Sequence, residues 1–323
     1  MAVSRLCLGT MTFGFQCDRE QSFAIMDAAA EHGITFMDTA NVYPSGGGLE
    51  NVGRTEEIVG EWIAERGARD DVVLATKCVG PMGPQKWQRG ASRKHIMDAV
   101  DASLRRLKTE WIDLYQMHGY DPRTPIDETL SALDDLVRMG KVRYLGCSNY
   151  TAWHLARANG VAAAESLRRF DSIQPRYNLL FRNFERDLFE LCELDGIAVI
   201  PYNPIAGGLL SGKHSLDAGP TSGTRFTLGA AGDMYQQRYW KQAEFATIEE
   251  LRPIAAELGI SMVTLANAWV LANPAMTSPI VGASKPEQLA DAVAALDVTL
   301  DDDVKQRLDQ LTEHYRDVPN ALR

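Results

Sequence analysis

The sequence predicts an α/β fold: a (β/α)8 TIM barrel forming a single domain over residues 1–323, with a long loop after strand seven and an extra C-terminal helix. Three observations predict it. Short β-branched or apolar runs alternate eight times with longer helical stretches, the pattern of βα units around a parallel sheet. No composition break or linker divides the 323 residues, a length within reach of one large α/β barrel. Polar residues close several of the apolar runs, and in such a barrel the C-terminal strand ends build the active site.

The first strand is expected at Arg5–Met11 and the first helix at about Glu20–His32, with Phe23, Ile25, Met26, Ala29 and Ala30 on its apolar side and Gly33 as C-cap. Strand two is Thr35–Asp38, and helix two Arg54–Arg66, with Ile58, Val59, Trp62 and Ile63 at helical spacing. Strand three, Val72–Lys77, runs into a Gly/Pro-rich loop over Cys78–Ala91. Ser92 then caps a helix reaching Leu107, where Ile96, Val100, Leu104 and Leu107 make an amphipathic stripe. Strand four is Ile112–His118, helix four Ile126–Met139 with Gly140 after it, and strand five Val142–Ser148.

Helix five covers about Ala152–Gly160, with continuation past Val161–Ala164 left open. Strand six is Ser172–Gln174, helix six Phe184–Asp195 and strand seven Ile197–Pro201. Asn203–Trp240 reads as a long Gly-rich lid or binding loop. Helices at Ala243–Leu258 and Met262–Ala272 precede strand eight at Thr277–Gly282. A helix at Pro286–Ala295 and a last one at Asp301–Thr312 complete the chain.

Composition narrows the function classes. Asp+Glu number 43 against 33 Lys+Arg, a formal net charge of −10, which disfavours a nucleic-acid or anionic-membrane surface but leaves a local anion site open. The five cysteines, at 7, 17, 78, 147 and 192, form no CxxC pair, so most are expected to be small buried residues in a reducing cytosol. No signal peptide is visible, and the uncharged segment Leu258–Ser284 is broken by Asn267, Asn273, Pro274 and Pro279, so it reads as core. Cytoplasmic localisation follows.

Asp38, Lys77, His118 and Ser148 end the second to fifth strands, and Tyr43 follows Asp38 in the same loop. Alone, each has an ordinary explanation: a cap, a loop lysine, a structural histidine, loop packing. Together at one rim they make coherent chemistry. A phenol with a pKa near 10 is a poor acid near neutrality, and a lysine ammonium beside it stabilises the phenolate. A buried aspartate would keep the lysine charged and placed, and a histidine can orient a carbonyl. The set suits proton donation to an alkoxide forming as hydride reaches a carbonyl carbon. Metal fits poorly: the six histidines form neither HxH nor HExxH, and three convergent ligands cannot be assembled. Gly46–Gly48 is no GxGxxG fingerprint, whereas Gly207-Gly208, after strand seven, would let the backbone approach a phosphate.

These residues carry a resemblance to the aldo-keto reductase superfamily over nearly the whole chain. Gly33–Tyr43 resembles its first signature, Lys77 and His118 match the remaining catalytic positions, and Gly140–Asn149, Pro201–Lys213 and Ile280–Leu289 resemble further blocks. The resemblance implies a reversible NAD(P)(H)-dependent oxidoreductase for aldehydes, ketones, alcohols or sugars, working cofactor-first and without metal. Tyr43 would donate the proton, Asp38 and Lys77 would tune it, and His118 would position substrate. Ser148, Asn149 and Gln174 would hold the nicotinamide carboxamide, and Tyr202 would stack on the ring. Leu210, Ser211 and Lys213 would wrap the pyrophosphate. Gly282, Ser284, Lys285 and Gln288 would grip the adenosine end, which favours NADP(H) and leaves NAD(H) open. Some relatives are channel-auxiliary partners, so a cofactor-binding regulatory subunit with little turnover is the alternative; a metal-dependent barrel hydrolase is a distant third.

Two departures stand out. Asp291 and Ala292 occupy positions where many relatives have Glu then Asn, which bears on NADP against NAD. The family's N-terminal β-hairpin is not visible before strand one; either it lies further upstream or the barrel bottom is covered another way. Restoring a hairpin is expected to raise stability or change the oligomer. For substrate, Trp87, Tyr120, Phe226 and Tyr239 are candidate pocket residues, an aromatic wall for an aryl carbonyl or a sugar ring, or else loop anchors. Arg225 is expected to bind the cofactor phosphates or cover them. The partner expected is a small carbonyl or alcohol, with no nucleic acid or membrane; the sequence identifies no oligomeric interface.

Overall fold

The structure, a computed structural model, describes residues 1–317. Eight parallel strands follow one another around a sheet: β1 (Cys7–Gly9), β2 (Phe36–Asp38), β3 (Val73–Cys78), β4 (Ile112–Met117), β5 (Val142–Ser148), β6 (Ser172–Gln174), β7 (Ala198–Val199) and β8 (Ile280–Val281). β8 returns to β1 through Cys7↔Ile280 and Leu8↔Val281. Isolated bridges Val199↔Met276 and Tyr202↔Ile280 join β7 to the β8 region and close the barrel. Here Thr277 N–H donates to Val199 O at 2.8 Å and Ile280 N–H to Pro201 O at 2.8 Å.

Helices pack outside the strands: α1 (Arg19–Glu31), α2 (Arg54–Arg66), α3 (Arg93–Leu107), α4 (Ile126–Arg138), α5 (Ala152–Ala164), α6 (Leu188–Asp195), α7 (Gly229–Tyr239), α8 (Gln242–Leu258), α9 (Met262–Leu271), α10 (Leu289–Ala294) and α11 (Asp302–Leu311). Their starts are chemically legible. Asp18 and Gln21 form a capping box at α1, and Ser92, Ser261 and Asp301 cap α3, α9 and α11. No single helix among the described residues is long and apolar enough to cross a membrane. The five cysteines are free and buried.

Strand parity divides the core. Leu8, Met37, Leu74, Tyr115 and Ile173 face outward into the layer under the helices. Cys7, Phe36, Ala75, Leu114, Ile200 and Ile280 fill the barrel interior as a separate cluster, with Val3 packed against it. Among the described residues no strand precedes Cys7. Ser4 accepts from the N–H groups of Thr35 and Phe36, and the Arg5 guanidinium donates to the carbonyls of Leu271, Met276 and Thr277.

Several boundaries differ from the sequence reading. Strands one, seven and eight are shorter; for the last two, pairing ends beside Pro201 and Pro279, which cannot donate to a ladder. α5 does continue through Ala164. α6 begins at Leu188, after a 3-10 turn at Asn183–Arg186, and α10 begins after another at Pro286–Gln288. The largest correction lies in the segment 203–240, which contains helix α7. Gly229 and Gly232 lower its helix propensity, but Ala231, Tyr235 and Tyr239 share a buried face. A Cβ at Gly232 would lie 2.9 Å from Phe226 O, so glycine there permits α7 to press on the preceding turn.

Candidate active site

The parity that packs the barrel also builds its rim. Two residues beyond interior Phe36 comes Asp38; beyond Ala75, Lys77; beyond Leu114, Gln116. In β5 and β6 the inward positions are Gly146, Ser148, Ser172 and Gln174. The apolar interior is therefore roofed by a polar layer in which Lys77 pairs in register with Gln116, and Ser148 with Gln174. Gly146 makes room, since a Cβ there would lie 2.5 Å from Ser172 Oγ and 3.1 Å from Gln116 Cγ.

Asp38 is the hub of that layer. Its Oδ2 accepts from the Lys77 ammonium, while its Oδ1 accepts from Gln116 Nε2 at 3.0 Å and Gln174 Nε2 at 2.9 Å. Lys77, fully buried, also donates to Thr39 O at 2.8 Å. Burial alone would lower the Lys77 pKa, but the charge of Asp38 and then that of Tyr43 outweigh it, so the ammonium is held charged.

Lys77 Nζ sits 5.0 Å from the centre of the Tyr43 ring. Burial raises the Tyr43 phenol above its usual value; Lys77 pulls against this, and Asp38 and Tyr235 add to it. The sequence reading weighted the lysine more heavily, but in the structure burial wins and Tyr43 is a protonated phenol across the neutral range. The His118 ring meets the Tyr43 ring edge-on, with centroids 5.7 Å apart. Burial and then the Lys77 charge depress the imidazole to about 3, so His118 is neutral.

Next to this pair lies a shelf of amides and hydroxyls. Ser148 Oγ donates to Gln174 O at 2.8 Å; Asn149 Nδ2 donates to His118 O and to Ser148 Oγ, both at 3.0 Å. The Tyr202 hydroxyl donates to Asn149 Oδ1 at 2.9 Å. Asn149 adopts a left-handed φ of 59°, a conformation asparagine tolerates better than most residues. Gln174 is thus committed through its nitrogen to Asp38 and, at 3.2 Å, to Gln116 Oε1.

A cavity of about 560 Å³ opens over these groups, within the usual size for a small-molecule site. Asp38, Tyr43, His118, Ser148, Asn149, Gln174 and Tyr202 line it. Away from them its wall continues through Ser211 and Lys213 and on to Gly282, Ser284, Gln288 and Asp291. Lys77 lies beneath the wall. Arg225 also lines the cavity, and its Nη2 would be 3.4 Å from a Cβ at Gly282, so the long loop reaches across to the β8 side there. Gly207 and Gly208 have φ of 71° and 104°, a turn closed to most side chains, and a Cβ at Gly207 would strike the Tyr235 ring.

Other candidates fall elsewhere. Leu210 is buried behind the wall, and Lys285 is exposed outside it. None of the four aromatic pocket candidates lines the cavity. Trp87 projects into solvent. Tyr120 stacks on His154 at 3.9 Å. Phe226 is fully buried against His214 and Trp240, and Tyr239 accepts from Asn178 Nδ2 at 3.1 Å. Tyr120, Phe226 and Tyr239 thus pack within the fold, and Trp87 packs against nothing near the cavity. The cavity wall includes instead Met11, Val42, Met234, Tyr235 and Arg238. Met234, Tyr235 and Arg238 lie in the segment that the sequence reads as a loop, and neither they nor Gln116 are among the candidates drawn from the sequence. Gln116 could have been found as the polar residue at inward parity in an apolar strand.

The profile of the aldo/keto reductase family matches residues 5–313. The chain is 40% identical over 96% of its length, and 93% of the relative's, to "Uncharacterized oxidoreductase YrpG" of Bacillus subtilis. It is 35% identical to "Probable voltage-gated potassium channel subunit beta" of Arabidopsis thaliana, covering 92% of this chain and 89% of that one. It is 32% identical to "Aldo-keto reductase dtxS3" of Metarhizium robertsii, covering 96% and 88%.

Proposed function

Because the chain belongs to the aldo/keto reductase family and has a general NAD(P)(H)-linked oxidoreductase role, we propose that it reduces an aldehyde or ketone to the alcohol with NADPH, reversibly. The observation that carries this reading is the Asp38–Lys77–Tyr43–His118 cluster at one end of the cavity.

The residues present fit a dinucleotide. The cavity lining includes the Ser148–Asn149–Gln174 shelf and the Tyr202 ring beside Tyr43, and also Lys213, Arg225, Ser284 and Gln288, which would meet phosphates. When bound, the cofactor supplies hydride to the carbonyl carbon. His118, neutral, donates a hydrogen bond that fixes the carbonyl oxygen. Tyr43, protonated, gives its proton to that oxygen as charge develops there. Lys77 then stabilises the phenolate, and Asp38 holds Lys77 in place. Tyr202, its hydroxyl tethered to Asn149, would help hold the nicotinamide. Leu210 acts by packing behind Ser211. Lys213 and Arg225, with the exposed Lys285, favour the 2′-phosphate cofactor; Asp291 opposes it.

Tryptophan fluorescence titration with NADPH and NADH in parallel tests the cofactor reading, and a carbonyl panel followed by NADPH oxidation tests the reaction. Saturable NADPH binding tighter than NADH, with turnover, is the expected result. Equal binding of the two would remove the NADP preference. The likeness to the Arabidopsis relative favours a second reading, a cofactor-binding regulatory subunit. Tight NADPH binding with negligible turnover and a stoichiometric protein partner would establish that one instead.

A further inference from the structure

One charged side chain on the cavity wall has no role in the chemistry above. Arg238 lies on α7, four residues after Met234 and three after Tyr235, so one face of this helix presents all three to the cavity. Its Nε is buried without a partner, and among the described residues its guanidinium makes no ion pair or hydrogen bond. Its charge is felt by Tyr202, whose phenol burial raises to about 12 while Arg238 opposes that rise. Tyr202 lines the same cavity and is tied to Asn149, which in turn donates to the His118 carbonyl.

The other charged groups on the wall are accounted for. Asp38 is neutralised by Lys77. Arg225 lies 5.5 Å from the centre of the Tyr235 ring and reaches toward Gly282, Asp291 lies on α10, and Lys213 follows the Gly207–Gly208 turn, so these three are assigned to the cofactor. Arg238 is thus a cation partly withdrawn from water, with no ion-pair partner among the described residues, on the wall of the cavity that also holds Tyr43 and His118. Such a group is unfavourable alone and is relieved by an arriving anion, which its planar fork binds through two oxygens.

We propose that Arg238 is the anion-binding residue of the substrate pocket, and that the preferred substrates are aldehydes or ketones bearing a carboxylate. This rests on the reductase reading. The carbonyl takes hydride at carbon and the Tyr43 proton at oxygen, while the carboxylate on Arg238 stays unchanged.

The test compares 4-formylbenzoate with methyl 4-formylbenzoate, which has the same ring and aldehyde without the charge. The protein and its Arg238→Met and Arg238→Lys variants are assayed with NADPH. The expected result is a kcat/KM preference for the carboxylate of about tenfold or more. Arg238→Met should cut its kcat/KM roughly 10- to 100-fold, mainly through KM, and leave the ester nearly unchanged. Arg238→Lys should keep part of the preference, and NADPH affinity should stay within about twofold of the parent's.

No preference in the parent protein overturns the proposal. So does equal loss for both substrates in Arg238→Met, or weakened NADPH binding, which would assign Arg238 to the cofactor phosphates. Calorimetry with 4-(hydroxymethyl)benzoate separates this from failure of the reductase reading. Arg238-dependent binding without turnover of either aldehyde keeps the anion site and defeats the reductase. Neither binding nor turnover defeats both.

Discussion

At Tyr43 two effects oppose each other: burial keeps the proton on, and Lys77 eases its departure. Replacing Tyr43 with Phe should lower kcat by about 10²- to 10⁴-fold, while NADPH titration stays close to that of the parent; full turnover in a folded Tyr43→Phe protein would refute the assignment. The pH profile follows from the same directions. Reduction needs the phenol protonated and His118 neutral. With His118 depressed to about 3 and Tyr43 above its ordinary value, the reductive kcat should be flat from about pH 5 to 8, falling only as pH rises toward the Tyr43 pKa. Gln116 works one step back, as a positioning residue on Asp38. Gln116→Leu removes a donor from Asp38 Oδ1 and an acceptor from Gln174. With its charge less dispersed, Asp38 should resist phenolate formation more strongly, so kcat should fall and the alkaline limb of alcohol oxidation should move to higher pH. A Gln116→Leu protein with the parent's limb position would mean that Gln116 only packs.

Helix α2 shows why a local rule can reverse in context. Gly60 lies mid-helix, where alanine would normally stabilise by roughly 0.5–1 kcal/mol. Here a Cβ would lie 2.2 Å from Arg106 O and 2.7 Å from the Leu107 backbone. Gly60→Ala should therefore destabilise by about 1–3 kcal/mol, measured by urea unfolding. The same helix carries fully buried Glu56, which accepts from Thr76 Oγ1 at 2.6 Å, Ser103 Oγ at 3.2 Å and Arg106 Nε at 2.8 Å. The extent of α2 was legible from four apolar residues at helical spacing, but Gly60 and Glu56 were not: their meaning depends on α3 and β3, over 40 and about 20 residues away in sequence. The same division holds at the site. Asp38, Lys77 and His118 could be read because each closes an apolar run. Phe226 and Tyr239 were misplaced because an aromatic in a long segment gives no sign of which way it faces until α7 is recognised. Arg238 went unread for the same reason.

Across the whole molecule, acid should act through buried histidines before it acts through carboxylates. His118, His95 and His214 are held below their ordinary value, each mainly by burial. A depressed folded pKa means that the unfolded chain takes up the proton first. Stability is then complete above the unfolded value of about 6.5 and declines as pH falls toward the folded values. Tm should drop between pH 7.5 and 5.5, and the drop should be smaller in His214→Phe, whose ring would remain between Phe226 and Trp240; an identical drop would exclude His214. The closure of the barrel has a consequence for its slow motions. Between β7 and β8 the circle is completed by isolated bridges rather than a continuous ladder, so it should part there first, and the amides of Thr277 and Ile280 should exchange with deuterium sooner than those within β4 and β5. The cavity has Tyr202 on one bank of this junction and Val281 and Gly282 on the other. A dinucleotide lying across both would act as a keystone, and deuterium uptake at Thr277 and Ile280 should slow when NADPH is added.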